Sequence, residues 1–162
     1  PGTGILMDNQ MNNFAYQYGD PEVIDRSASI GNRFEPGKRP MSTMTPIIIF
    51  DENNELKLIT GSPGGALIPA AVLRLVTGVI DFNLNLGEAT MLPRLHKDWP
   101  YKNLRLEKGF SKDTLQILES YGHELEESKT MGSTQSILIS SKGKEGFADL
   151  RRPNAGVAIQ ID

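Results

Sequence analysis

Two runs in the first half of the chain, Pro46-Ile47-Ile48-Ile49-Phe50 and Leu56-Lys57-Leu58-Ile59-Thr60, are rich in β-branched residues and separated by Asp51-Glu52-Asn53-Asn54-Glu55. Short apolar runs around a polar turn predict a β-hairpin. The first run is apolar at every position, which predicts a strand buried on both faces, in a sheet lying between other layers. Behind the second run, Gly61-Ser62-Pro63-Gly64-Gly65 interrupts the chain. Ile68, Val72, Leu75, Val76, Val79 and Ile80 then recur at helical spacing and predict a helix over residues 67–82. A shorter helix is expected over 87–90, closed by Pro93, and another from Ser111 as N-cap through Leu115 and Leu118 to Gly122.

Residues 5–7, 135–140, 146–148 and 157–161 read as strands, with a turn at Ser141-Lys142-Gly143. Residues 15–38 lose all periodicity and fill with Gly, Asp, Pro, Ser and Asn, as in a long surface loop of the lid or binding type. The order of elements predicts a single α+β layered domain over 1–162, its sheet largely antiparallel.

Composition narrows the function. With 162 residues, 38% hydrophobic and 23% charged, the chain is large enough to bury a substantial core. Its net charge of -3 gives no electrostatic reason to bind nucleic acid. No cysteine is present, which excludes disulfides, thiol catalysis and thiolate metal sites within the chain. His96 and His123 lie far apart with no second ligand at metal spacing, so no metal site is expected. Glu124, Glu126 and Glu127 read as a solvated face, and Trp99 as a packing residue. No apolar stretch is long enough for a membrane helix. The opening Pro1-Gly2-Thr3-Gly4 has neither an initiating Met nor the features of a signal peptide, and the chain reads as a fragment.

Three segments carry candidate chemistry. In the glycine turn, the N–H groups of Gly64 and Gly65 fall near a helix start, where two backbone donors suit a developing negative charge; a sharp turn alone would also explain the glycines. In Lys38-Arg39-Pro40-Met41-Ser42-Thr43-Met44-Thr45-Pro46, the hydroxyls of Ser42 and Thr43 can donate to a carboxylate, or equally satisfy local backbone. In Asp8-Asn9-Gln10-Met11-Asn12-Asn13, side-chain amides can orient a polar ligand, or simply face water in a turn.

Taken in this order, these segments closely resemble the γ-glutamyltransferase small subunit, of the N-terminal-nucleophile hydrolase superfamily. The resemblance continues through Leu84-Asn85-Leu86-Gly87-Glu88-Ala89, Pro93-Arg94-Leu95-His96 and Met131-Gly132-Ser133-Thr134-Gln135-Ser136-Ile137 to Ala148-Asp149-Leu150-Arg151-Arg152, nearly the whole chain. It implies an αββα sandwich, incomplete here because the N-terminal strands and the large subunit of the same precursor are absent. It implies an autoprocessed enzyme whose N-terminal Thr, upstream of this chain, attacks γ-glutamyl amides such as glutathione to give an acyl-enzyme, and it implies no cofactor, since threonine chemistry with backbone donors needs none. The chain alone is then expected to be inactive, and its open sheet edges to favour self-association. A periplasmic or extracellular location is likewise implied.

By the family pattern, Gly64 and Gly65 form the oxyanion hole, Ser42 and Thr43 hold the α-carboxylate, and Gln10 and Asn13 orient the amino-acid end of the substrate. Residues 15–38 correspond to the lid, in which Tyr16 and Tyr18 are gating candidates. Asn13 departs from the usual Asp, and a neutral amide there forfeits the charge-assisted part of the contact, about 1.5–3 kcal/mol. An acylase for glutaryl or cephalosporin-type amides, or an inert fragment, is therefore the alternative. Ala66-Leu67 replace the Ser-Arg that usually follows the glycine pair.

Overall fold

The computed structural model describes residues 2, 4, 10–15, 29–98, 101–153 and 155–158 of the chain. The expected strand over 5–7, Tyr16, Tyr18 and Trp99 lie outside them, as do the later residues of the expected strand over 157–161; Val157 and Ala158 are not in a strand. The chain forms two compact units, Pro1–Ser42 and Thr43–Asp162.

In the first unit, the described part of the amide-rich run winds into a 3-10 helix, Gln10–Asn13, and a second such helix spans Ile30–Asn32. Ala15 pairs with Arg33 in an isolated parallel bridge, and Phe14 meets Phe34 edge to face at 5.1 Å.

The second unit is built on the predicted hairpin. Strands β1 (Ile47–Phe50) and β2 (Leu56–Gly61) are joined by a turn in which the Asp51 carboxylate accepts the N–H groups of Asn53 and Glu55, both at 2.9 Å. That local bond fixes the hairpin. Helices α1 (Ile68–Ile80) and α2 (Leu86–Met91) follow; α1 carries proline in its first turn, and α2 starts from a reciprocal capping box between Asn85 and Glu88. Strands β3 (Leu95–His96) and β4 (Asn103–Leu106) lead to α3 (Lys112–Ser120), capped by Ser111, then β5 (Glu124–Glu127), β6 (Gln135–Ser140) and β7 (Gly143–Ala148).

Four strands form one antiparallel sheet in the order β1-β2-β6-β7. A separate three-stranded sheet, β3-β4-β5, pairs β3 with β4 antiparallel and β4 with β5 in parallel across α3, so the strand pairing is largely antiparallel, as expected. The three glutamates expected to form a solvated face belong to β5, where only Leu125 is even half-buried.

The core lies on one face of the larger sheet. Leu58, Leu75, Val79, Leu86 and Ala89 cluster there, with Ile49, Leu138 and Phe147 against them. The other face carries Ile48, Ile59 and Ile137 in one cross-strand row, with Ile48 59% and Ile137 45% exposed. Phe50 is 53% exposed as well. The expectation that β1 is buried on both faces is thus wrong for this chain. Among the described residues, β1 is an edge strand and helices cover one side of its sheet.

Candidate active site

β2 delivers the glycine turn directly to the 3-10 turn Gly65–Leu67, which runs on into α1. Gly64 has φ 144° and ψ 9°, and Gly65 has φ 59°. Side chains rarely tolerate such backbone, which accounts for glycine at both places. Among the described residues, neither the Gly64 nor the Gly65 N–H donates to an acceptor. Two unspent donors ahead of a thirteen-residue helix are suited to stabilising an oxyanion.

A second glycine loop, Met131-Gly132-Ser133-Thr134, lies behind the first. Gly132 has φ 69°, and a Cβ on it would come 2.7 Å from Ser62 Oγ and 3.1 Å from Ala71 Cβ. A Cβ on Gly64 would in turn come 3.2 Å from Gly132 Cα. The two backbones therefore touch with no side chain between them. Across this contact, the Ser133 N–H donates to Ser62 Oγ at 2.9 Å, and the Ser62 hydroxyl donates to the Pro63 carbonyl at 2.8 Å.

Four charged side chains fix the far side of that loop. Arg94 and Asp149, 2% and 0% exposed, meet at 2.6 Å. Arg94 also donates to the carbonyls of Met131 at 2.5 Å and Thr90 at 3.3 Å, and to Thr134 Oγ1 at 3.1 Å. Asp149 accepts the Thr134 N–H at 3.0 Å, and Glu107 accepts those of Met131 at 2.6 Å and Arg94 at 3.0 Å. Arg151 joins Glu107 at 2.9 Å to Asp149 at 3.2 Å. Two guanidiniums against two carboxylates leave this buried cluster balanced, with its remaining valences turned on backbone. Burial alone would raise the Asp149 carboxyl, but the Arg151 backbone N–H, the Arg94 guanidinium and the Thr134 N–H outweigh it and hold the group below its ordinary value. Burial, reinforced by Arg151, draws Arg94 down against the opposing pull of Asp149.

In the first unit, Gln10 and Asn13 lie on the 3-10 helix, both half-buried, and Ser42 is exposed at the end of the unit. A residue that the sequence did not single out organises this region. Asn32, 7% exposed, donates to the Asn13 carbonyl at 2.6 Å and accepts the N–H of Met41, the neighbour of Ser42, at 2.9 Å. Its backbone carbonyl accepts the Ala15 N–H at 3.0 Å. Asn13 and the approach to Ser42 are thereby tied through one amide. Thr43 opens the second unit, half-buried, and its carbonyl accepts from Thr45 Oγ1 at 3.0 Å. Among the described contacts, none joins Thr43 to Gly64 or Gly65.

Asn32 sits in an aperiodic stretch with no local signal. Arg94, Glu107, Ser133 and Asp149 come from four separate segments, so their convergence is a product of the fold. His96 approaches Asp98 at 3.9 Å and His123 approaches Lys97 at 3.4 Å. Among the described residues, no three His, Cys, Asp or Glu side chains converge as metal ligands.

The family model for gamma-glutamyltranspeptidase matches residues 1–159. The chain belongs to the gamma-glutamyltranspeptidase family. It matches the C-terminal portion of that family: the chain is 44% identical over 142 residues to a glutathione hydrolase proenzyme of Escherichia coli, covering 88% of this chain and 24% of the relative. A Pseudomonas glutathione hydrolase proenzyme is 32% identical over 168 residues, covering 98% of this chain and 29% of the relative. The chain thus spans about a quarter of the length of these curated relatives.

Solved members of the gamma-glutamyltranspeptidase family share the fold. A mutant of the Helicobacter pylori gamma-glutamyltranspeptidase superposes with a TM-score of 0.80 at 35% identity, over 93% of this chain and 83% of that one. A cephalosporin acylase from Bacillus halodurans superposes with a TM-score of 0.78 at 28% identity, over 100% of this chain and 29% of that one. These neighbours place the mixed α/β fold among the N-terminal-nucleophile hydrolases.

Proposed function

We propose that this chain supplies the oxyanion hole and part of the acyl pocket of a γ-glutamyl hydrolase or transferase acting on amides such as glutathione. The observation that carries the reading is the pair of unspent donors on Gly64 and Gly65, held at positive φ in front of α1. In this reading an N-terminal Thr, outside these residues, attacks the amide carbonyl through its hydroxyl oxygen while its own amine takes the hydroxyl proton. Charge gathers on the carbonyl oxygen, and the glycine amides stabilise it. The C–N bond then breaks, the amine leaves with the proton, and water or an acceptor amine resolves the ester. Loss of one such donor typically costs about 10²–10³-fold in kcat.

Ser42 and Thr43 anchor the glutamyl α-carboxylate, and Gln10 and Asn13 its amino end. The large subunit of the same precursor completes the protein. The uncovered row Ile48, Ile59 and Ile137 supports the expectation of a second layer over this sheet, and in its absence the same face favours self-association. A second reading, an acylase for glutaryl or cephalosporin-type amides, is favoured by the neutral Asn13 and by the likeness to the Bacillus halodurans acylase.

The test is the full protein, assayed with a γ-glutamyl anilide and a glutaryl anilide. Preferential release of the amine from the γ-glutamyl compound is expected, with Asn13→Asp improving its kcat/KM by at least about tenfold, the lower end of what a charge-assisted hydrogen bond is worth. Turnover of the glutaryl compound alone would favour the acylase. Turnover of neither would overturn both.

A further inference from the structure

We propose that Ser62 is a positioning residue for the oxyanion hole, orienting the Gly64 N–H through a relay that begins at the Ser133 amide. The inference rests on the reading of Gly64 and Gly65 given above.

The Pro63 carbonyl and the Gly64 N–H belong to one planar trans peptide, so they point in opposite directions. Whatever holds that carbonyl aims that N–H. The Ser62 hydroxyl holds it, donating at 2.8 Å. A hydroxyl has a single proton, and with that proton on the Pro63 carbonyl its oxygen presents lone pairs, one of which takes the Ser133 N–H at 2.9 Å. The bonds run in one sense, from Ser133 N–H to Ser62 Oγ to the Pro63 carbonyl, and each polarises the next. The end of the series is a Gly64 N–H made a stronger donor as well as a better-aimed one.

Glycine is where such a restraint is required. Gly64, at φ 144°, has no side chain to block rotation of its peptide, and a flip would turn the donor away from the substrate. The bare Cα of Gly132 admits Ser62 Oγ, since a Cβ there would fall 2.7 Å from it. Ser133 is itself 2% exposed and flanked by anchored residues, Met131 on Glu107 and Arg94, and Thr134 on Asp149. The relay therefore starts from a fixed point.

The experiment compares Ser62→Ala and Ser62→Thr with the unmutated full protein, by steady-state kinetics on a γ-glutamyl anilide and by amide hydrogen exchange. For Ser62→Ala, kcat is expected to fall about ten- to a hundredfold with KM changed less than about twofold, the signature of a contact made in the transition state. The Ser133 amide exchanges at least about tenfold faster, while Thr134, held by Asp149, keeps its protection. Ser62→Thr keeps the hydroxyl and retains both properties. Unchanged Ser133 exchange, an unchanged kcat in Ser62→Ala, or a Thr variant as impaired as the Ala variant would each overturn the proposal. If the unmutated protein releases no amine from any anilide, it is the functional reading that fails, and Ser133 exchange alone then decides the relay.

Discussion

Arg94 Nη2 and Asp149 Oδ2 meet at 2.6 Å, with neither side chain reaching solvent. The pair joins the segment after α2 to the end of β7, and both partners also hydrogen-bond the Met131–Thr134 loop that backs Gly64. A buried ion pair is poor evidence for stability in itself, because desolvation offsets its attraction. Its consequence here is geometric, since it fixes the loop from which Ser133 reaches Ser62.

Arg94→Ala should be among the most destabilising single changes, at about 3–5 kcal/mol, because it leaves the Asp149 charge buried with its main partner gone. Arg94→Lys should recover little, since one ammonium cannot reproduce a planar fork with acceptors on Met131, Thr90, Thr134 and Asp149. Urea unfolding of the full protein measures both, and a loss below about 1 kcal/mol, the scale of an exposed pair, would contradict this account.

Acid should act on the same cluster. The folded-state pKa of Asp149 lies below its unfolded value, so the stability it contributes is complete above the ordinary carboxylate range, near ~3.9, and is lost as pH falls through the lowered folded value. Asp149→Asn should lower stability at neutral pH and flatten its decline on the acid side. Parallel stability curves for the two proteins, measured across that range, would argue that Asp149 is not linked to folding.

Asn32→Ala removes an amide that serves Asn13 and Met41 together. The expected cost is about 1–3 kcal/mol for the groups left unsatisfied, with a higher KM for γ-glutamyl substrates and a smaller change in kcat. Asn32→Asp retains an acceptor for the Met41 N–H but turns an oxygen on the Asn13 carbonyl, and should be no better. Kinetics matching the unmutated protein in both variants would separate Asn32 from the pocket.

Gly132→Ala introduces a Cβ where Ser62 Oγ lies 2.7 Å away and where φ is 69°. The loop must shift or the hydroxyl must rotate. A stability loss exceeding about 1 kcal/mol, measured by urea unfolding, is expected from the backbone conformation alone, accompanied by a lower kcat. An Ala variant with unmutated stability and rate would show that the two loops need not touch.

The local elements were legible in the sequence because their signals are local. The β1–β2 hairpin follows from two apolar runs around a polar turn, α1 from a single apolar stripe, and the two ends of α3 from Ser111 and Gly122. The alternation in Asn103-Leu104-Arg105-Leu106 was there to be read as β4, with both leucines buried. β5 was masked by its glutamates, because a strand contributing one side chain to its sheet looks like a charged surface. The burial of β1 was misjudged for the opposite reason. Apolar residues on both faces report what a strand suits, whereas exposure depends on what covers it, and here helices cover one side. At the candidate site, the glycine pair announced itself through composition. Asn32, Glu107 and Ser133 did not, because their roles arise from contacts across 9 to 71 positions of chain.

The most direct measurement of the central claim is a structure of the full protein trapped with a γ-glutamyl phosphonate, a stable mimic of the tetrahedral intermediate. The account predicts a phosphonate oxygen about 2.7–3.1 Å from the backbone nitrogens of both Gly64 and Gly65, with the α-carboxylate on Ser42 and Thr43. An inhibitor bound covalently to the nucleophile, with that oxygen turned away from both glycine amides, would contradict it.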